Sequence, residues 1–179
     1  MGEDSRSTYQ VCTREDIVFV KVIGRASYMN CDPFRRFLDN MLEGGKRKIV
    51  FDFSECAGLD STFLGILVNA ALVIRGLKEE GFMTLSRLVG RNLETVRNLG
   101  IHRIADVQTH ETEFKDKEFE NVSDRSSEKA VDSKEIYKAH KILSELNEGN
   151  AHKFRDVVSF LELQMEEANL PDPHLGMTQ

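Results

Sequence analysis

An α/β domain with a mixed sheet of four to five strands, helices packed on that sheet, and an added C-terminal helical pair is the fold class this sequence predicts. Three observations carry it. Short apolar runs alternate with helix-period segments over roughly the first 110 residues. The joining segments are long enough to hold crossover helices, which favours parallel, right-handed strand pairing. Two further apolar stripes of helical spacing follow a charged interval near the C-terminus.

The elements follow in order. "YQVCTR" and "DIVFVKVIG" read as two strands, the second apolar on both faces, with Gly24 ending it. "CDPFRRFLDNMLEGG" predicts a helix. Asp32 is the expected N-cap, Pro33 takes the first helical position, and Gly44 and Gly45 stop the helix. Phe34, Phe37, Leu38, Met41 and Leu42 share one of its faces. "KIVFDFS" is nearly all apolar, as a strand buried on both sides would be.

A long helix is then expected from Ser61 to about Glu79, with Gly81 as its cap. Phe63, Leu67, Ala70, Ile74 and Leu77 repeat at helical spacing, and Ile66, Val68, Leu72 and Val73 widen the apolar surface. "FMTLSRLV" predicts a strand, "RNLETVRNLGI" a short helix ended by Gly100, and "IADVQTH" a last short strand.

Charge marks the organisation. Residues 1–109 hold 15 Lys and Arg against 14 Asp and Glu, whereas residues 110–179 hold 9 against 16. A boundary near 110 is therefore expected. Residues 1–109 form the first unit and 110–132 a charged linker, with a weak strand signal at 118–122. Residues 133–170 form a helical hairpin, and 171–179 a tail. In the hairpin, Ser133 is the expected cap, and Ile136, Leu143 and Leu146 make one stripe. Asn147 to Asn150 form the turn, and Phe154, Val157, Val158, Leu161 and Met165 make the second stripe. Pro171 and Pro173 end it. Such stripes need burial, against each other, against the first unit, or across a homodimer seam.

Composition narrows the function classes. Apolar residues at 40% and charged residues at 30% suit a globular protein, and the net charge of −6 argues against general nucleic-acid affinity. No run approaches ~18 consecutive apolar residues, and the polar start lacks a secretion signal. Of the myristoylation pattern, Gly2 alone is present. Cys12, Cys31 and Cys56 lack zinc-site spacing, and the odd count suits free thiols in a cytoplasmic protein. His102, His110, His140, His152 and His174 make no metal-ligand pair and read as surface or packing residues. "EGGKRK" at 43–48 departs from the phosphate-loop spacing and reads as a helix stop with a basic turn. Arg35, Arg36, Lys46, Arg47 and Lys48 read as a solvated surface. No serine sits in a nucleophile elbow, so no catalytic residue, cofactor or metal is expected.

One stretch carries more. In "AGLDSTFLGIL", Asp60, Ser61 and Thr62 stand between an apolar strand and an apolar helix. A helix start has free backbone N–H groups and partial positive charge, which together stabilise an anion. Asp60 as N-cap places Ser61 in that first turn. A phosphate on Ser61 would gain those contacts and add about −1.5 to −2 charges. Plain helix capping explains the same residues, and spacing alone leaves both readings open.

The order of elements and "IVFDFSECAGLDSTFLGILV" resemble the STAS domain of bacterial anti-sigma factor antagonists. The match lies in Val50, Phe51 and Asp52, then Asp60, Ser61 and Thr62, then Leu64 and Gly65, with "NLETVRNLGIHRIADV" and Gly24 in support. It covers roughly residues 9–109. The resemblance implies a partner-switching regulator of transcription, a phosphoprotein and not an enzyme. Ser61 would accept phosphate from a serine kinase that doubles as anti-sigma factor, and a PP2C-type phosphatase would remove it. Asp60, Thr62, Phe63 and Gly65 would orient the site or contact the partner. ATP and magnesium would belong to the kinase, with no nucleic acid or membrane involved. Phe63 stands where the family usually has glycine, and either packs inward or faces a partner. The alternatives are a constitutive scaffold and a transporter-accessory domain.

Overall fold

The structure is a computed structural model that describes residues 8–77, 80–110, 118–122 and 131–168. Two strands, β1 (Tyr9–Arg14) and β2 (Ile17–Ala26), form an antiparallel hairpin turned at Glu15 and Asp16. Helix α1 (Asp32–Glu43) leads to β3 (Lys48–Leu59), which lies parallel to β2. Helix α2 (Ser61–Gly76) leads to β4 (Phe82–Ser86), parallel to β3. Helix α3 (Gly90–Asn98) and a 3-10 turn (Ile101–Arg103) lead to β5 (Asp106–Val107), parallel to β4. A two-residue strand, β6 (Glu120–Asn121), returns antiparallel to β1. The sheet order is β5-β4-β3-β2-β1-β6, so the expected four to five strands become six. The helical pair is α4 (Ser133–Glu145) and α5 (Glu148–Ala168).

Pleat alternation sorts the sheet into two faces. Val18, Val20 and Val22 of β2 join Ile49, Phe51 and Phe53 of β3 in the main core, with Phe34, Leu38, Phe63 and Leu67 from the helices. Phe19 and Val50 point the other way and form a small second cluster, with Phe119 packed against it. The main core also takes in Val131, Leu143, Phe154 and Val158, so the C-terminal helices share the apolar interior of the sheet domain.

Several local expectations are corrected. β2 continues past Gly24 to Ala26, and Gly24, at φ +69°, sits where the register against β3 shifts. The N-cap of α1 is Cys31. Asp32 lies inside the first turn, where its carboxylate holds Arg35 at 2.8 Å and also pairs with Arg36. Gly81 does not cap α2, which ends at Gly76. A Cβ on Gly81 would come within 2.7 Å of the Arg47 carbonyl, so glycine lets the chain entering β4 pass the turn after α1. Asp132, not Ser133, caps α4 by accepting from the Lys134 N–H. Glu148 already belongs to α5, which shortens the expected turn. Lys78, Glu79, Pro171 and Pro173 fall outside the described residues.

Candidate functional site

β3 ends at Leu59, and the chain turns into α2 through Asp60, whose backbone is extended. One carboxylate oxygen of Asp60 accepts the Phe63 N–H at 2.9 Å, which is the predicted capping bond. The other accepts the Tyr28 N–H at 2.8 Å. Asp60 therefore fixes the helix start and the β2–α1 loop together. Ser61 follows in the first turn of α2, half-buried, with its hydroxyl directed away from the sheet core.

The neighbours of Ser61 divide sharply. Thr62 is 3% exposed and Phe63 is 0% exposed. The Phe63 ring lies 5.5 Å from that of Phe34 and 5.9 Å from that of Tyr9, and meets Phe53 edge-on at 6.4 Å. Both side chains are inside, so Phe63 takes the inward packing of its two readings, and the buried Thr62 side chain offers no partner contact in this state. Phenylalanine stands at this position because an aromatic cluster receives it. Gly65 is covered too, by α4: a Cβ placed on it would lie 2.3 Å from the Ala139 carbonyl oxygen. Ser61, Gly65 and Asn69 fall at successive four-residue steps and so share one face of α2.

The residue that sequence reading assigned to packing or surface, His140, is the one that meets Ser61. Its Nε2 lies 2.8 Å from Ser61 Oγ, and its Nδ1 lies 2.8 Å from the Ile136 carbonyl oxygen. A carbonyl only accepts, so Nδ1 carries the hydrogen. In the neutral ring Nε2 then presents a lone pair, and the Ser61 hydroxyl donates to it. The ring is 7% exposed and meets Phe154 of α5 edge-on at 5.8 Å. The signal was present in the sequence: His140 lies between Ile136 and Leu143 at helical spacing, on the apolar stripe of α4.

Other contacts tie the hairpin down. Asn147 and Asn150 both donate to the Leu99 carbonyl, at 3.1 and 2.9 Å. The Val131 N–H bonds the Tyr28 carbonyl at 3.0 Å. On its open side Ser61 borders a cleft of about 200 Å³, lined also by Leu64, Thr95, Asn98, Lys153 and Phe154. Of the burials open to the α4 stripe, the structure shows packing within the chain, while Phe160 and Leu163 of α5 stay exposed.

Asp52, midway along β3 and 0% exposed, accepts from Arg87 Nε at 2.8 Å and from the Ser54 N–H at 2.9 Å. Burial, with Asp60 nearby, pushes the Cys31 thiol up to about 12. Burial likewise holds the Tyr9 hydroxyl far above the usual phenol range. Basic residues of the expected solvated surface have local partners, as with Lys48 on Asp16 at 2.8 Å and Lys46 on the Glu15 carbonyl at 2.7 Å. Among the described residues no group of three or more His, Cys, Asp or Glu side chains could hold a metal, and the three cysteines are free. No helix among them is long and apolar enough to cross a membrane.

Comparison with known proteins gives the family. The STAS domain family model matches residues 8–114, and the chain belongs to that family. The fold resembles a presumed anti-sigma factor antagonist of Thermotoga maritima, with 21% identity and a TM-score of 0.53 over 59% of this chain and 87% of that one. It also resembles the unphosphorylated anti-sigma factor antagonist SpoIIAA, with 15% identity and a TM-score of 0.48 over 59% of this chain and 90% of that one. At these identities the likeness is one of fold. No curated protein matches the chain. The family match ends at residue 114, so α4 and α5 lie outside it.

Proposed function

We propose that the chain is a binding module of the anti-sigma factor antagonist type, switched by phosphorylation of Ser61. Its partner would be a serine kinase that doubles as an anti-sigma factor, and a PP2C-type phosphatase would reset it. The protein would act in the cytoplasm, in bacterial transcriptional signalling, without catalysis or a cofactor of its own. ATP and magnesium would belong to the kinase. The observation that supports this reading is the position of the Ser61 hydroxyl, in the first turn of α2 and directed from the sheet towards α4, with both oxygens of neighbouring Asp60 already engaged by backbone N–H groups. A phosphate there would meet the positive end of the helix and add a dianion to that face. A partner docked over that face would be repelled by the added charge.

The test is direct. The full chain is incubated with host lysate and ATP and run on a phosphate-affinity gel. A shifted band that is absent in Ser61→Ala and removed by a PP2C-type phosphatase supports the switch. A band shift that survives Ser61→Ala moves the acceptor elsewhere and sinks this assignment. No shift with lysate that phosphorylates other substrates leaves the constitutive scaffold as the better account.

A further inference from the structure

The α2 face that bears Ser61 already has an occupant, and the occupant belongs to the same chain. His140 accepts the Ser61 hydroxyl, Ala139 sits against Gly65, and the two asparagines at the hairpin turn hold the Leu99 carbonyl. Helix α2 is buried without interruption from Thr62 to Val68, as a helix covered on opposite sides must be. The sheet covers one side and α4 the other.

We propose that α4 is an internal stand-in for a partner helix, and that any kinase or partner reaches Ser61 only by displacing the α4–α5 hairpin. This rests on the reading of Ser61 as the switch residue and adds its regulation. Three physical facts support it. The 2.8 Å between Oγ and Nε2 leaves no space for a phosphoryl donor along that direction. Ser61 also borders a cleft of about 200 Å³, and Lys153 and Phe154 of the hairpin form part of its wall. One turn along the same face of α2, the Ala139 backbone packs against Gly65, so α4 covers the approach to Ser61.

The shape of the contact defines the external partner. It is an amphipathic helix with a small residue opposite Gly65, since any Cβ on that glycine would already collide with the α4 backbone. Opposite Ser61 it carries a hydrogen-bond acceptor, as His140 does. Because Leu143, Phe154 and Val158 sit in the shared core, release is an exchange of one helix for another and not free opening.

Ala139→Leu tests this from the hairpin side and leaves Asp60, Ser61 and Gly65 unchanged. Lys138→Ala, at an exposed position on the same helix, is the control. In the full chain, hydrogen exchange should rise about tenfold or more across 133–168 in Ala139→Leu, while the amides of β2 and β3 stay protected. Combined with Ser61→Cys, the same wedge should speed N-ethylmaleimide labelling at position 61, read by peptide mass, by about tenfold. Unchanged exchange and labelling would overturn the gate. A lysate-and-ATP arm separates the two ideas. Faster phosphate transfer to Ser61 in Ala139→Leu supports both. Equal transfer in wild type and variant defeats the gate and keeps the switch. Faster labelling without any phosphate transfer keeps the gate and defeats the switch.

Discussion

The carboxylate of Asp60 accepts the Tyr28 N–H at 2.8 Å, which joins the start of α2 to a loop 32 residues earlier in the chain. The same group caps the helix at Phe63. Asp60→Ala should therefore cost more than an ordinary N-cap, which is worth about 1 kcal/mol. Urea denaturation should show a loss of about 2 kcal/mol. Asp60→Asn should recover the part due to capping, because its amide oxygen still accepts from Phe63. A loss in Asp60→Ala no larger than at an exposed cap would show that the loop contact contributes nothing.

Phe63 is a core residue, packed on Tyr9, Phe34 and Phe53. Phe63→Ala should destabilise the fold by about 3–5 kcal/mol. Phe63→Leu should cost far less, because it keeps most of the apolar volume. Equilibrium unfolding followed by circular dichroism checks both. A cost below about 1 kcal/mol for Phe63→Ala would mean that the ring faces a partner and not the core.

Asp52 and Arg87 form an ion pair in which only the arginine reaches water. Arg87→Ala would leave a buried carboxylate with only the Ser54 N–H and should cost about 3–5 kcal/mol. Asp52→Ala leaves an arginine side chain that is 25% exposed and can be solvated, and its cost should fall below that of Arg87→Ala. Paired melting curves decide the order, and the reverse order would contradict the burial asymmetry.

Alkaline pH should weaken the protein through Cys31 and Tyr9. Burial raises both above their ordinary values, and Cys31 reaches about 12. The unfolded thiol loses its proton from about pH 9 upward, while the folded thiol keeps its own. The native state then binds more protons, so stability is full below pH 9 and declines towards 12. Urea midpoints taken from pH 7.5 to 10.5 should fall, and Cys31→Ala should flatten the fall. In the native protein at pH 8, Cys31 should also resist alkylation longer than half-buried Cys12. A midpoint that is level across this range would refute the linkage.

Much of this fold is readable in the chain. The cap at Asp60 follows from one residue type before an apolar period. The all-round apolar character of α2, with Ile66 and Val68 beyond the simple stripe, signals a second covering layer. What covers it is not legible, because α4 returns from 79 residues away and periodicity carries no address. β6 was a weak signal, since two charged and polar residues satisfy a strand by backbone bonds alone. The Asp32 cap failed because two arginines within one turn claim its carboxylate. His140 was missed because its meaning depends on a serine that only the folded chain brings near.

The pairing of Asn121 with Gln10 has a thermodynamic consequence for any rival helix. It fastens the chain to the sheet edge only ten residues before Val131, a reach of roughly 35 Å at full extension. A lifted hairpin stays leashed at a local concentration on the order of millimolar. An outside competitor at micromolar levels starts with about a thousandfold disadvantage, near 4 kcal/mol, and must overcome it through better contacts. The leash thereby sets a threshold that casual encounters do not cross.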